Sequence, residues 1–213
     1  MPSPQPPSPG PLPRGDREDG VRAAKRALRA TVLARREARS EAERASYGEQ
    51  LATVVLDQAE VRRAACVAAY VGVGAEPATL PLLDALTTRG VRVLLPLLGP
   101  GFSMTWGVYG GRGDLVTTDR GLREPTGEPE PDGLAAADVV LLPGLAMSPT
   151  GMRLGRGGGA YDRALADLPS DGPAPPLLVL LHDDEVGLDV PSEAHDLPVH
   201  AALTGAGRVD ARH

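Results

Sequence analysis

Four short, largely apolar runs set what this chain can fold into: 65–71 (ACVAAYV), 91–98 (VRVLLPLL), 139–142 (VVLL) and 177–181 (LLVLL). Runs of this kind, rather than strict alternation, mark strands buried on both faces. Helical patterns lie around them. In 21–39, Val21, Ala24, Leu28 and Val32 recur near the helical period with basic residues between. Ser40 followed by Glu43 has capping-box spacing and predicts a second helix over 41–58. Residues 77–89 read as a helix stopped by Gly90, and 159–168 as another. Shorter strands are expected at 103–109 and 199–203, and 110–132 reads as loop because it is rich in Gly, Pro and charge. Strands alternating with helices predict a single α/β domain. Its sheet is mostly parallel and flanked by helices, with an N-terminal helical extension. Ligands bind such sheets beyond the carboxyl ends of the strands. The loops after Val71, Leu98, Leu142 and Leu181 are therefore the places to look.

Aromatics make up only 3% of the chain, so the core must be built from Ala, Val and Leu. Residues 1–20 begin with a Pro/Ser/Gly-rich stretch and are expected to be a disordered tail, 21–204 the domain, and 205–213 a frayed end. No apolar stretch reads as a secretory signal or a membrane span. The single cysteine, Cys66, excludes an internal disulfide and fits a reducing cytoplasm. A net charge of −6 argues against a general nucleic-acid binder. A monomer acting on small molecules is expected, without nucleic acid or membrane.

The segment 139–163 (VVLLPGLAMSPTGMRLGRGGGAYDR) carries the strongest chemical signal. Glycines let backbone N–H groups approach a bulky anion. Arg153 and Arg156 supply forked donors for phosphate oxygens, and Asp162 can hold the Mg²⁺ that accompanies a nucleotide. Residues 155–160 formally match the dinucleotide pattern G-x-G-x-x-G/A, but the preceding strand ends well before the first glycine. Lys25 and Arg29 share one helix face and form a two-pronged cation. Alone they read as part of a solvated basic face with Arg22, Arg26 and Arg36, since charged helix faces are common. Glu76 follows a strand and a Gly-containing turn, where a carboxylate could meet a polar ligand. His182, Asp183, Asp184 and Glu185, with Glu193, His195 and Asp196 after them, suggest a metal or acid–base centre. Their spacing favours Mg²⁺ over zinc.

Taken together, the residues resemble the 5-formyltetrahydrofolate cyclo-ligase family. The likeness rests on AKRALR (24–29), AEPAT (75–79), REP (123–125), PGLAMSPTGMRLGRGGGAYDR (143–163) and VPSEAHDLPV (190–199), in that order. It implies a NagB/RpiA/CoA-transferase-like fold and an ATP- and Mg²⁺-dependent conversion of 5-formyltetrahydrofolate to 5,10-methenyltetrahydrofolate. By motif position, Lys25 and Arg29 are expected on ATP phosphates. Arg153, Leu154, Gly155, Arg156, Gly157, Gly158, Gly159, Ala160 and Tyr161 are expected to wrap the nucleotide. Arg156, Gly157, Gly158, Gly159 and Ala160 are also expected near the folate, Val71 and Glu76 on its pterin edge, and Asp162 and Asp196 on Mg²⁺. Arg156 is the expected catalytic group, reaching the reacting phosphate or formyl oxygen.

The chain departs from the family pattern at Met147-Ser148, where Phe-Asp is usual, and at Ala160, where Tyr is usual. It departs again at Glu185, where Gln is common. Two other readings compete: an NAD(P)-dependent oxidoreductase using 155–160, and a non-catalytic folate- or sugar-phosphate-binding module.

Overall fold

The computed structural model describes residues 14–168, 174–193 and 196–212. Two helices open the chain, α1 (Arg14–Glu37) and α2 (Glu41–Asp57), followed by a short α3 (Ala59–Arg63). The Ser40 hydroxyl accepts from Glu43 N while the Glu43 carboxylate accepts from Ser40 N at 2.7 Å. That reciprocal cap satisfies two otherwise orphaned donors and fixes the start of α2. Strand β1 (Cys66–Ala68), helix α4 (Leu80–Thr88), β2 (Arg92–Leu98) and β3 (Met104–Val108) follow. A hairpin of β4 (Leu115–Thr117) and β5 (Arg123–Pro125) precedes β6 (Val139–Pro143). A second, minimal hairpin pairs β7 (Ala146–Met147) with β8 (Arg153–Leu154). Helix α5 (Ala160–Ala166), β9 (Leu177–Leu180), β10 (Ala201–Thr204) and β11 (Gly207–Asp210) complete the described elements.

Seven strands form one sheet in the order β11-β10-β9-β6-β1-β2-β3. The five inner strands are parallel, and only the edge strands β3 and β11 run antiparallel to their neighbours. The burial pattern explains the apolar runs. Val139 and Leu141 of β6 face the core beneath α2 and α4, and Val140 and Leu142 face the opposite core with Trp106 and Leu165. In β9, Leu178 and Leu180 join the first side and Val179 the second. Helices on both faces leave no polar side for these strands to present. Pro96 lies in β2 beyond the last residue paired with β1, so its missing N–H breaks no ladder on that side.

Three sequence expectations need correction. Residues 14–20, assigned to the N-terminal tail, belong to α1, as its first two turns. The rest of that tail, residues 1–13, lies outside the described residues. The expected frayed end supplies β11, whose outer positions are polar or exposed because it is an edge. The expected loop 110–132 contains the β4–β5 hairpin, closed by a turn with Gly121 at φ +73°. The hairpin seats closely because β3 carries Gly107 opposite it: a Cβ there would meet Pro125 Cγ at 2.8 Å. No helix among the described residues is long and apolar enough to cross a membrane.

Candidate active site

A cleft of about 330 Å³ opens beyond the carboxyl ends of β1, β2 and β6, a size in the range of small-molecule sites. Two of the four expected loops line it, those after Val71 and Leu142, joined by the end of β2. Tyr70, Val71, Val73 and Glu76 come from the loop after β1, Leu98 from the end of β2, and Pro143 and Gly144 from the end of β6. The glycine segment 155–159 with Ala160, Tyr161 and Asp162 forms another wall. The β4–β5 hairpin closes the far side with Arg120, Leu122, Arg123 and Glu124.

Thr79 Oγ1 donates to Tyr70 O at 2.7 Å and accepts from Gly72 N at 2.9 Å, which ties the loop after β1 across its base. Glu76 then accepts from Val73 N at 3.0 Å and aims its remaining oxygen into the cleft. There Arg156 Nε meets Glu76 Oε1 at 2.8 Å. The Arg156 side chain is 54% exposed and the Glu76 side chain 9%. The pair therefore joins a mobile cation to a fixed anion and brings the glycine loop against the β1 loop.

The glycine loop is braced from behind. Arg153 is almost fully buried; Nη1 donates to Pro143 O at 3.0 Å and Nη2 to Asp162 Oδ1 at 2.6 Å. Its guanidinium lies 5.9 Å from the Tyr161 ring centroid, within cation–π reach. Burial holds the Tyr161 hydroxyl well above the ordinary tyrosine range, so it stays protonated. Arg29 Nε donates to Gly155 O at 2.8 Å. Gly157 and Gly159 adopt φ of +99° and +65°, a region that side chains with a Cβ rarely enter. Arg29 thus holds this loop by a carbonyl, and Arg153 ties Asp162 at its far end to Pro143 at the end of β6. Leu154 is a correction: it does not line the cleft. Its side chain is buried with Val32, Leu145 and Val190, because β8 alternates sides.

Lys25 and the two expected metal ligands are also placed with partners. Lys25 Nζ donates to Glu193 Oε2 at 2.8 Å and to Asp196 Oδ2 at 2.7 Å. Burial alone would lower the Lys25 pKa, but bonds to Asp196 and Glu193 outweigh it and raise it. Asp162 lines the cleft and faces Arg153; Asp196 faces Lys25 and does not line the cleft. Among the described residues, no group of three or more His, Cys, Asp or Glu side chains could hold a metal ion. Mg²⁺ does not require such a cage, since it is commonly held by one or two carboxylates and substrate phosphates. Asp162, with a side chain 34% exposed at the cleft, fits that donor set.

The expected metal or acid–base centre at 182–185 is structural instead. Arg36, read as a member of a solvated face, is fully buried. Its Nε and Nη2 donate to the two Glu185 oxygens at 2.7 Å each, and Nη2 also reaches Gly144 O at 2.7 Å. Asp184 pairs with Arg39, and Asp183 accepts from the Tyr47 hydroxyl and Ala206 N. The loop after Leu181 therefore docks α1 and α2 rather than lining the cleft. His195 lies outside the described residues.

His182 packs on Tyr47 with ring centroids 4.4 Å apart and planes tilted by 42°, and burial, with Arg39 and Arg36 nearby, pushes its imidazole down to about 4. Between pH 6.5 and 4 the unfolded chain takes up a proton that the folded protein refuses, so stability falls as pH drops through that window. The full loss is about 3 kcal/mol. A His182→Phe variant keeps the ring and should show a smaller fall in melting temperature from pH 6.5 to 4.5. Identical falls in both proteins would show that His182 is not held neutral.

The departures from the family pattern now have places. Met147 is fully buried. Ser148 accepts from Thr150 N and Met152 N, organising the β7–β8 turn with a hydroxyl. Ala160 lines the cleft as the first residue of α5. Tyr70, Thr79 and the hairpin wall were missed in the sequence. Thr79 stood inside a quoted motif, AEPAT, whose spacing from Tyr70 could have signalled the loop tie.

Residues 21–205 match the 5-formyltetrahydrofolate cyclo-ligase family. A protein of that name from Mycolicibacterium smegmatis is 37% identical over 190 residues, spanning 85% of this chain and 93% of its own. One from Escherichia coli is 31% identical over 177 residues, spanning 81% and 96%. The solved structure of Aquifex aeolicus 5,10-methenyltetrahydrofolate synthetase superposes with a TM-score of 0.73 at 26% identity. It covers 89% of this chain and 93% of the Aquifex chain. A Mycoplasma pneumoniae 5,10-methenyltetrahydrofolate synthetase structure shares the fold, with a TM-score of 0.66 at 18% identity, covering 85% and 98%. The chain belongs to the 5-formyltetrahydrofolate cyclo-ligase family.

Proposed function

We propose that the cleft converts 5-formyltetrahydrofolate and ATP to 5,10-methenyltetrahydrofolate, ADP and phosphate. The observation that carries this reading is the Arg156–Glu76 contact, which sets the anion-binding loop and a heterocycle-binding carboxylate side by side. A formamide oxygen is a poor leaving group. Its attack on the γ-phosphorus, with ADP departing, makes it a good one. N10 of the same folate then attacks the activated carbon and loses its proton, and phosphate leaves with the former formyl oxygen. Holding N10 beside that carbon supplies the advantage of a positioned intramolecular reaction.

The chain's residues have distinct parts in this scheme. Glu76, with Val71 beside it, holds the pterin edge. Gly155, Gly157, Gly158 and Gly159 offer backbone donors to the nucleotide phosphates, and Lys25 and Arg29 add charge by exchanging their present partners. Arg156 follows the charge that develops on the transferring group. Arg153 and Tyr161 keep the loop in place, and Ala160 leaves room above it. Asp162, joined by Asp196, would hold Mg²⁺, which neutralises phosphate charge when bound. A cytoplasmic location agrees with the single buried Cys66.

The rival oxidoreductase reading needs the glycines directly after a strand of the main sheet. Here the β7–β8 hairpin stands between β6 and Gly155. The test is an absorbance time course of the methenyl product. A rise that requires 5-formyltetrahydrofolate, ATP and Mg²⁺ together is expected. No rise from folded protein overturns the reading, and ligand binding without ATP consumption would favour the non-catalytic binding module.

A further inference from the structure

The cleft has a further chemical zone that neither phosphates nor a pterin edge would use. Beside the polar groups of Glu76 and Arg156 lies an apolar stretch of Pro96, Leu98, Met104 and Leu122. The β4–β5 hairpin is fastened along it, with Glu124 Oε1 accepting from Leu98 N at 3.2 Å. Next to Glu124 stands Arg123, half-buried and lining the cleft. The other cleft arginines are engaged: Arg153 with Asp162, Arg156 with Glu76, and Arg120 with Gly99 O. Among the described residues Arg123 makes no ion pair or side-chain hydrogen bond, although its charge is felt by the Tyr109 hydroxyl. A half-buried guanidinium without an anion is poorly compensated for its lost hydration.

We propose that Arg123 binds a carboxylate of the substrate's glutamyl portion. This rests on the folate reading given above. Such a substrate is a polar heterocycle, an apolar benzoyl ring and one or more carboxylates, joined in that order. The cleft offers a carboxylate at Glu76, an apolar wall, and a forked cation at Arg123, whose planar donors match a carboxylate. Arg123 thereby sets a preference for folates over pterins that lack the glutamate.

The experiment measures dissociation constants by titration calorimetry for 5-formyltetrahydrofolate and for 5-formyltetrahydropteroate, which lacks only the glutamate. Wild type, Arg123→Ala and Arg123→Lys are compared, with turnover followed in parallel. The wild type is expected to favour the glutamate-bearing ligand about tenfold, as one charge-assisted contact at a half-buried site allows. Arg123→Ala should erase that preference by weakening only the folate, and Arg123→Lys should keep part of it. Equal weakening of both ligands, or a preserved preference in Arg123→Ala, overturns the subsite. Preferential binding without turnover overturns the cyclisation reading and leaves the subsite standing. Binding of neither ligand by folded wild type overturns both.

Discussion

Arg156→Ala should lower kcat/KM by about 10²- to 10³-fold, the usual loss when one donor to a developing charge is removed. The melting temperature should hardly move. The side chain is 54% exposed and its ion pair bridges two loops at the cleft rather than sealing a core, and pairs of that kind contribute about 0–1 kcal/mol. Glu76 retains its bond from Val73 N, so the β1 loop keeps its shape. Initial rates and thermal melts of the same preparation separate the two effects. Arg156→Lys keeps the charge without the fork and should recover part of the rate. Full turnover in Arg156→Ala would remove the residue from the mechanism.

Glu185→Ala should be the most destabilising single change in the molecule's polar interior. It leaves the fully buried Arg36 guanidinium without its anion. Breaking such a pair by removing one partner costs about 3–5 kcal/mol. In a chain of this size that corresponds to a fall of roughly 6–20 °C in melting temperature. Glu185→Gln, which restores the residue common in the family, keeps an acceptor for Arg36 and should cost less. Because Arg36 also holds Gly144 O at the cleft, Glu185→Ala should lower activity well below the melting transition too. A change of under 2 °C in Glu185→Ala would show that water replaces the carboxylate without penalty.

How much of this was readable beforehand depends on where each residue's partner lies in the chain. The runs at 139–142 and 177–181 announce inner parallel strands because two-sided burial leaves a local imprint. The β4–β5 hairpin leaves none: Val116 is exposed, Arg123 and Glu124 face a cleft, and turn residues dominate. The glycine loop was legible because its chemistry is written in consecutive residues. Arg36 was not, since its carboxylate is 149 positions away, and a basic helix gives no local sign of which arginine is enclosed. Leu154 erred the other way, as a motif names neighbours along the chain while a two-residue strand turns alternate side chains to opposite sides.

The anchoring of α1 also dictates when it can fold. Its polar contacts reach Gly144, Gly155, Glu185, Glu193 and Asp196, at separations of 108 to 171 residues. A lone, mostly charged helix is marginal in water. During synthesis the segment emerges first, yet every one of these anchors is translated far behind it. The helix therefore cannot complete these contacts until Asp196 has been made, when only β10 and β11 are still to come. Docking that helix waits on distant residues, and through Arg29 and Gly155 it braces the glycine loop. A chain stopped before residue 185 would lack β10 and β11 and the anchors of α1 at Glu185, Glu193 and Asp196.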